Sequence, residues 1–249
     1  MPISVACLLA ASTPKAGNQP EECEDRWAAA ADGLSFAVAD GASEASFAGL
    51  WASILAQRFV EDPARALEPP WLLAARQAFM QQLDLPRLPW HALEKLRRGS
   101  HAALAGVVID PAAESFEVFA WGDACVAWVH GEVASCFPFS EVADLPERPY
   151  LISTVPEQNE AAPGRQGTSR QVPLEPGHTD VFLMTDAVAG WFLAEWAAGR
   201  QPWRELLALP DAAALTTWAE GARSQKALRN DDVAVISLRL SHGNDAGGG

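Results

Sequence analysis

Basic residues are scarce in this 249-residue chain: 18 Lys and Arg stand against 32 Asp and Glu, a formal net charge of −14. Nucleic acids and anionic membrane surfaces are held through basic patches, so this balance argues against both as partners. Cysteines are few as well. Cys7, Cys23, Cys125 and Cys136 stand singly with no C-x-x-C pair, which removes the zinc-ribbon and dithiol redox motifs and predicts reduced thiols. The apolar stretch from Ile3 to Ala10 is too short for a membrane span and follows no basic leader. A first strand is therefore expected there rather than a signal peptide, and with it a cytoplasmic protein. A glycine-rich Walker loop with lysine and a Cys-x5-Arg loop are both missing, which argues against ATP use and against thiol-based phosphate chemistry. There is no internal repeat of fixed period.

With 49% hydrophobic residues, the chain can bury a sizeable core, and one domain over residues 1–240 is expected. The ten tryptophans are scattered and read as core or partner surface. Strands are predicted over Ile3 to Ala10, Leu34 to Ala39, Ala102 to Asp110, Ser115 to Trp121, Cys125 to Val129 and Val133 to Phe137. Helices are predicted over Ser46 to Val60, Trp71 to Leu83, Trp90 to Arg98, Val188 to Ala198, Trp203 to Leu209 and Ala212 to Ser224. Closely spaced strands imply antiparallel pairing, and a strand meander between groups of helices gives an α+β class. Glu141 to Asp180 carries six prolines and little periodicity, and reads either as a lid or specificity flap or as a surface insertion. Ser241 to Gly249 reads as a disordered tail.

The distribution of acids carries the functional information. Phe36-Ala37-Val38-Ala39-Asp40-Gly41 and Val181-Phe182-Leu183-Met184-Thr185-Asp186 are apolar runs that each deliver a carboxylate at the end of a buried strand. Asn230-Asp231-Asp232-Val233 places acids just before a strand begins, and Glu21-Glu22-Cys23-Glu24-Asp25 gathers more. Carboxylates that converge from distant parts of a chain repel one another and are tolerated when a hard cation such as Mg²⁺ or Mn²⁺ neutralises them. Plainer roles stay open: Asp40 and Asp186 as helix caps or Asx turns, Asp123 as a β-turn residue. His91, His101, His130, His178 and His242 lack ligand spacing and read as structural or surface residues.

In order along the chain, Glu24-Asp25, Val38-Ala39-Asp40-Gly41, Gly122-Asp123, Thr185-Asp186 and Asp231-Asp232 resemble the motif series of the metal-dependent protein phosphatases, the type 2C serine/threonine family, over about Gly17 to Leu240. The resemblance implies a four-layer α-β-β-α sandwich with two central, mainly antiparallel sheets and a dinuclear metal site at their edge. It implies two Mn²⁺ or Mg²⁺ ions, with a third at Asp123, and a ligand set of Glu24, Asp25, Asp40, Gly41 (through its carbonyl), Asp123, Asp186 and Asp231. Asp40, Asp186 and Asp231 would then hold the ions that activate water against phosphoserine or phosphothreonine in a protein, opposing a Ser/Thr kinase. There are departures. Gly-Asp-Ser has become Gly122-Asp123-Ala124, Thr-Asp-Gly has become Thr185-Asp186-Ala187, and Ala42 stands where eukaryotic relatives carry a histidine. Pro20 stands where many members have a phosphate-gripping arginine, leaving Lys15, Arg26, Arg229, Arg165, Arg170 or the metals to do that work. The departures keep in view a pseudophosphatase acting as a binding or scaffold module, and the length and charge of the Glu141 to Asp180 segment would permit a metal phosphatase for a small phosphoester.

Overall fold

The computed structural model describes residues 3–42, 47–66, 68–160 and 167–243. In chain order the elements are β1 (Ile3–Thr13), β2 (Arg26–Ala29), β3 (Ser35–Gly41), α1 (Ala48–Glu61), α2 (Pro69–Gln81), α3 (Trp90–Arg98), β4 (His101–Asp110), β5 (Ser115–Trp121), β6 (Cys125–His130) and β7 (Val133–Phe137). There follow β8 (Ile152–Ser153), α4 (Pro156–Glu160), β9 (Thr168–Pro173), β10 (Gly177–Met184), α5 (Asp186–Ala197), α6 (Pro202–Leu207), α7 (Ala212–Ser224) and β11 (Val233–His242).

The strands form two antiparallel sheets, ordered β1-β11-β10-β6-β7 and β2-β3-β4-β5-β9, with β8 paired to β4. Central strands such as β3 and β11 are buried along nearly their whole length, whereas the edge strand β9 is largely exposed. An unbroken apolar run is the signature of a strand covered on both faces, and here one face meets helices while the other meets the second sheet. Because side chains alternate across a strand, neighbouring residues enter different cores. Val38 joins Val107, Val126, Val181 and Ile236 between the sheets. Ala37 and Ala39 instead pack under Trp51, Leu55 and Phe59 of α1 and Phe79 of α2. Likewise Phe182 and Met184 of β10 turn outward to Val188 and Phe192 of α5, with Trp203 and Leu215. Three apolar interfaces thus separate four layers, α-β-β-α. Among the described residues, no helix is long and apolar enough to cross a membrane.

Gly106 of β4 shows how tightly α1 sits on its sheet. A Cβ built there would lie 2.3 Å from the ring of Phe59, which is fully buried and edge-to-face with Phe119 at 5.2 Å. Gly106→Ala is expected to cost about 1–3 kcal/mol by overpacking. The same change in a Phe59→Leu background should cost less, because the shorter side chain vacates the clash. A urea-unfolding double-mutant cycle with unchanged m-values checks this.

The structure departs from the sequence reading in four places. β2 follows the acid run directly; four residues without a β-branched side chain give no periodic signal, and the strand exists because it pairs with β3. Within Glu141–Asp180 the chain is not aperiodic throughout: β8 pairs with β4 and β9 with β5, so part of that stretch is sheet. Residues 161–166, including Arg165, lie outside the described residues. α1 begins at Ala48, with Phe47 at its N-cap in the left-handed region (φ 64°); the expected start at Ser46 lies outside the described residues. β11 continues to His242, pairing Ser241 with Ser4 and His242 with Ile3, so ordered sheet extends into the stretch read as tail. Residues 244–249 of that stretch lie outside the described residues.

Candidate functional site

Antiparallel register brings the acidic strand ends to one edge of the sandwich. Asp40, penultimate in β3, is opposite Ala103 of β4, whose next residue, Leu104, is opposite Trp121 at the end of β5. The Gly122-Asp123 turn then leads to Cys125 of β6, which is opposite Met184 at the end of β10, itself opposite Val235 of β11. Each acid sits within two residues of one of these strand ends. Carboxylate oxygens of Asp40, Asp123 and Asp186 all lie within 4.8 Å of one another. Gly122 sets the turn: its φ is 89°, and a Cβ there would meet the Cβ of Ala103 at 2.7 Å, so both conformation and packing demand glycine. The Thr185 Oγ1 accepts from the Ala234 N–H at 2.9 Å, locking the start of α5 to β11. Asp186 is the first residue of α5, where the helix dipole favours negative charge. Ala42 and Ala187, in place of other residues of the motif series, cause no backbone strain. The positive-φ non-glycines among the described residues are Phe47, Glu114 and Lys226.

Burial makes this gathering of charge costly. Asp25 is 2% exposed, and its Oδ2 has no hydrogen-bond partner among the described residues. Burial pushes its carboxyl well up, a hydrogen bond with the Thr185 side chain opposes this, and the charges of Asp186, Asp232 and Asp231 add to the rise. Asp40 is likewise pushed well up by burial and then by Asp25, Asp186, Asp123 and Asp231. Asp123 is raised to about 7 by burial and by Asp186, with Arg229 pulling the other way. A hard, oxygen-seeking divalent cation matches this donor set in charge and in atom type, and an orphaned carboxylate oxygen in a dry setting is the kind of atom such an ion satisfies.

The remaining predicted residues fall into different places. Asp231 faces the cluster through Arg229, whose guanidinium is paired with Asp186 and lies 3.2 Å from Asp231 Oδ2. Glu24 lines a neighbouring cleft of ≈ 490 Å³ with Lys15, Arg26 and Phe47, and it is not one of the three acids drawn closest together. Gly41 ends β3 with no room for a side chain: a Cβ would lie 2.8–2.9 Å from the backbone of Ala48 and Glu24.

Asp232 was not among the predicted ligands, yet it ties the site together. It is 3% exposed, and its two oxygens accept from the Lys15 N–H at 2.8 Å and the Glu24 N–H at 2.6 Å. The only sequence signal was its place beside Asp231. Asp232→Ala should orphan both amides and cost about 2–4 kcal/mol; Asp232→Asn, with one oxygen left to accept, should cost about half as much. Chemical denaturation of the two variants checks this.

Of the basic residues considered for phosphate binding, Arg26 donates to the carbonyls of Cys23 and Asp25. Arg170 stacks over Trp128 with its Cζ 5.6 Å from the ring centroid. Arg229 alone among these three is paired with carboxylates of the acidic cluster.

No family model matches the chain, and no curated protein matches it in sequence. Solved structures do match. PppA, a key regulatory component of the T6SS in Pseudomonas aeruginosa, aligns at 14% identity and TM-score 0.59 over 97% of this chain and 98% of its own. The Mycobacterium tuberculosis serine/threonine phosphatase PstP aligns at 14% identity and TM-score 0.59 over 97% of this chain and 100% of its own. A structure of the PstP catalytic domain with 2 manganese ions aligns at 16% identity and TM-score 0.51, over 97% of this chain and 99% of its own. The chain therefore has the fold of the PPM-type serine/threonine phosphatases over 97% of its length.

Proposed function

We propose that the chain is a divergent PPM-type enzyme, a metal-dependent phosphatase that hydrolyses phosphoserine or phosphothreonine in a protein substrate. The observation that carries this reading is the convergence of Asp40, Asp123 and Asp186 around an edge that the buried, partly unpartnered Asp25 also faces. Asp40, Asp186 and Asp231 would hold two Mn²⁺ or Mg²⁺ ions, with Asp25, Asp123, Glu24 and the Gly41 carbonyl as further oxygen donors. When bound, such ions neutralise the carboxylates and lower the pKa of water near phosphorus. The chain's own part is positioning: Gly122 aims Asp123, the Thr185–Ala234 bond fixes the start of α5 and thus Asp186, and Asp232 clamps the segment that carries Glu24 and Asp25.

In such a scheme the aspartates act as ligands, so no covalent phosphoenzyme is expected. A phosphoprotein substrate also implies a Ser/Thr kinase that acts upstream of it. The test is phosphate release from p-nitrophenyl phosphate and from a phosphothreonine peptide with Mn²⁺, with and without chelator. Chelator-sensitive release from the peptide supports the reading. Release from free phosphometabolites but not from the peptide would move it to a small-phosphoester enzyme. Folded protein that binds Mn²⁺ yet releases nothing would make it a scaffold.

A further inference from the structure

A phosphomonoester dianion that approaches Asp25, Asp40, Asp123, Asp186 and Asp231 meets strong repulsion unless positive charge stands at the entrance. Arg229 stands there. Its Nη2 donates to Asp186 Oδ2 and lies 3.2 Å from Asp231 Oδ2, while 60% of its side chain is open to solvent. The Asp231 N–H donates to the Arg229 carbonyl at 2.9 Å, a tight turn that keeps the guanidinium's root beside the cluster. Other nearby arginines are engaged with backbone: Arg26 on the carbonyls of Cys23 and Asp25, Arg223 on the carbonyl of Asp231. A guanidinium keeps its charge at any working pH and carries five N–H donors in a planar fork, enough to hold one carboxylate edge and offer a second edge to phosphate oxygens.

We propose that Arg229 is the residue that grips the substrate's phosphoryl group, and that it does so from a position in which it competes with divalent ions for Asp186 and Asp231. The proposal rests on the metal-phosphatase reading above and adds to it a named phosphate-binding group and a link between metal affinity and substrate affinity. The two roles follow from one geometry. The carboxylate oxygens that hold the guanidinium are oxygens a divalent ion would claim, and a guanidinium released from them turns its donors to the incoming phosphate.

Replacing Arg229 should therefore move two affinities in opposite directions. In Arg229→Gln, Mn²⁺ measured by calorimetry on the whole chain should bind about tenfold more tightly, because no tethered cation opposes it. The inhibition constant of orthophosphate and the KM for a phosphothreonine peptide should rise about 10- to 100-fold, the worth of charge-assisted hydrogen bonds to phosphate. Arg229→Lys, which keeps the charge without the fork, should fall between for phosphate. Circular dichroism melts establish that both variants are folded. Tighter Mn²⁺ with weaker phosphate supports the proposal. Unchanged affinities, or both weakened together as a merely structural residue would give, overturn it while leaving the phosphatase reading intact. Absence of Mn²⁺ binding to the wild-type chain overturns both.

Discussion

Asp40→Asn is expected to abolish Mn²⁺-dependent phosphate release, by about 10³-fold or more, and at the same time to raise the melting temperature in chelator by about 5 °C. The first effect follows because the carboxylate near the end of β3 stands within 4.8 Å of both Asp123 and Asp186 and would be one of the oxygen donors that hold the ions in the proposed function. Removing one such charge takes away several kcal/mol of transition-state stabilisation, and each 1.36 kcal/mol is about tenfold in rate. The second effect has the opposite sign because the same carboxylate is a liability without a cation. Burial and the charges of Asp25, Asp186, Asp123 and Asp231 all act against its ionised form. Asparagine keeps the shape, drops the charge and finds carboxylate acceptors around it, so a gain of about 1–2 kcal/mol is expected, worth about 2–4 °C per kcal/mol for a chain of this size. Differential scanning fluorimetry in EDTA, beside the phosphate-release assay, reads both. A variant that keeps its turnover and melts lower would make Asp40 a structural Asx residue instead.

The convergence of acids at one edge was legible in the sequence, while part of the fold that frames it was not. Long apolar runs ending in Asp40 and Asp186 announce themselves, because a strand buried on both faces has no polar alternation to blur its end. The meander β4 to β7 was equally plain, with turn residues at Asp110-Pro111 and His130-Gly131 between apolar strands. β2, β8 and β9 carry no such signal. They are short or exposed, and they are strands only because β3, β4 and β5 offer them partners. Local sequence does not encode a tertiary template. Asp232 was passed over for a related reason: its value lies in accepting the amides of Lys15 and Glu24, more than 200 residues away in the chain. Arg229 stood in the sequence as one basic candidate among several, and only the carboxylates the fold sets beside it distinguish it.

A pH series in chelator separates a cluster built for a cation from one content with Arg229 alone. The Asp123 carboxyl is raised to about 7 in the folded chain, against an ordinary value near 3.8. The folded state therefore holds the extra proton, and stability must fall as pH rises toward and through the folded value. The contribution is fully present below the unfolded value and gone above about pH 8. Between pH 6 and 8 Asp123 by itself should remove about 1.4 kcal/mol, or about 3–5 °C of melting temperature. Asp25 and Asp40, both pushed well up, act in the same direction. Saturating Mn²⁺ should flatten or reverse the slope, because an ion competes with protons for the same oxygens and binds better as they leave. Asp123→Asn provides the control: its melting temperature in EDTA should exceed that of the wild type most at pH 8, by less at pH 6, and converge on it only below the unfolded value, about pH 4. A wild-type melting temperature that rises from pH 6 to 8 in EDTA would mean that the carboxylates are comfortably ionised without a metal, and the acidic edge would then be a structural ion-pair network centred on Arg229.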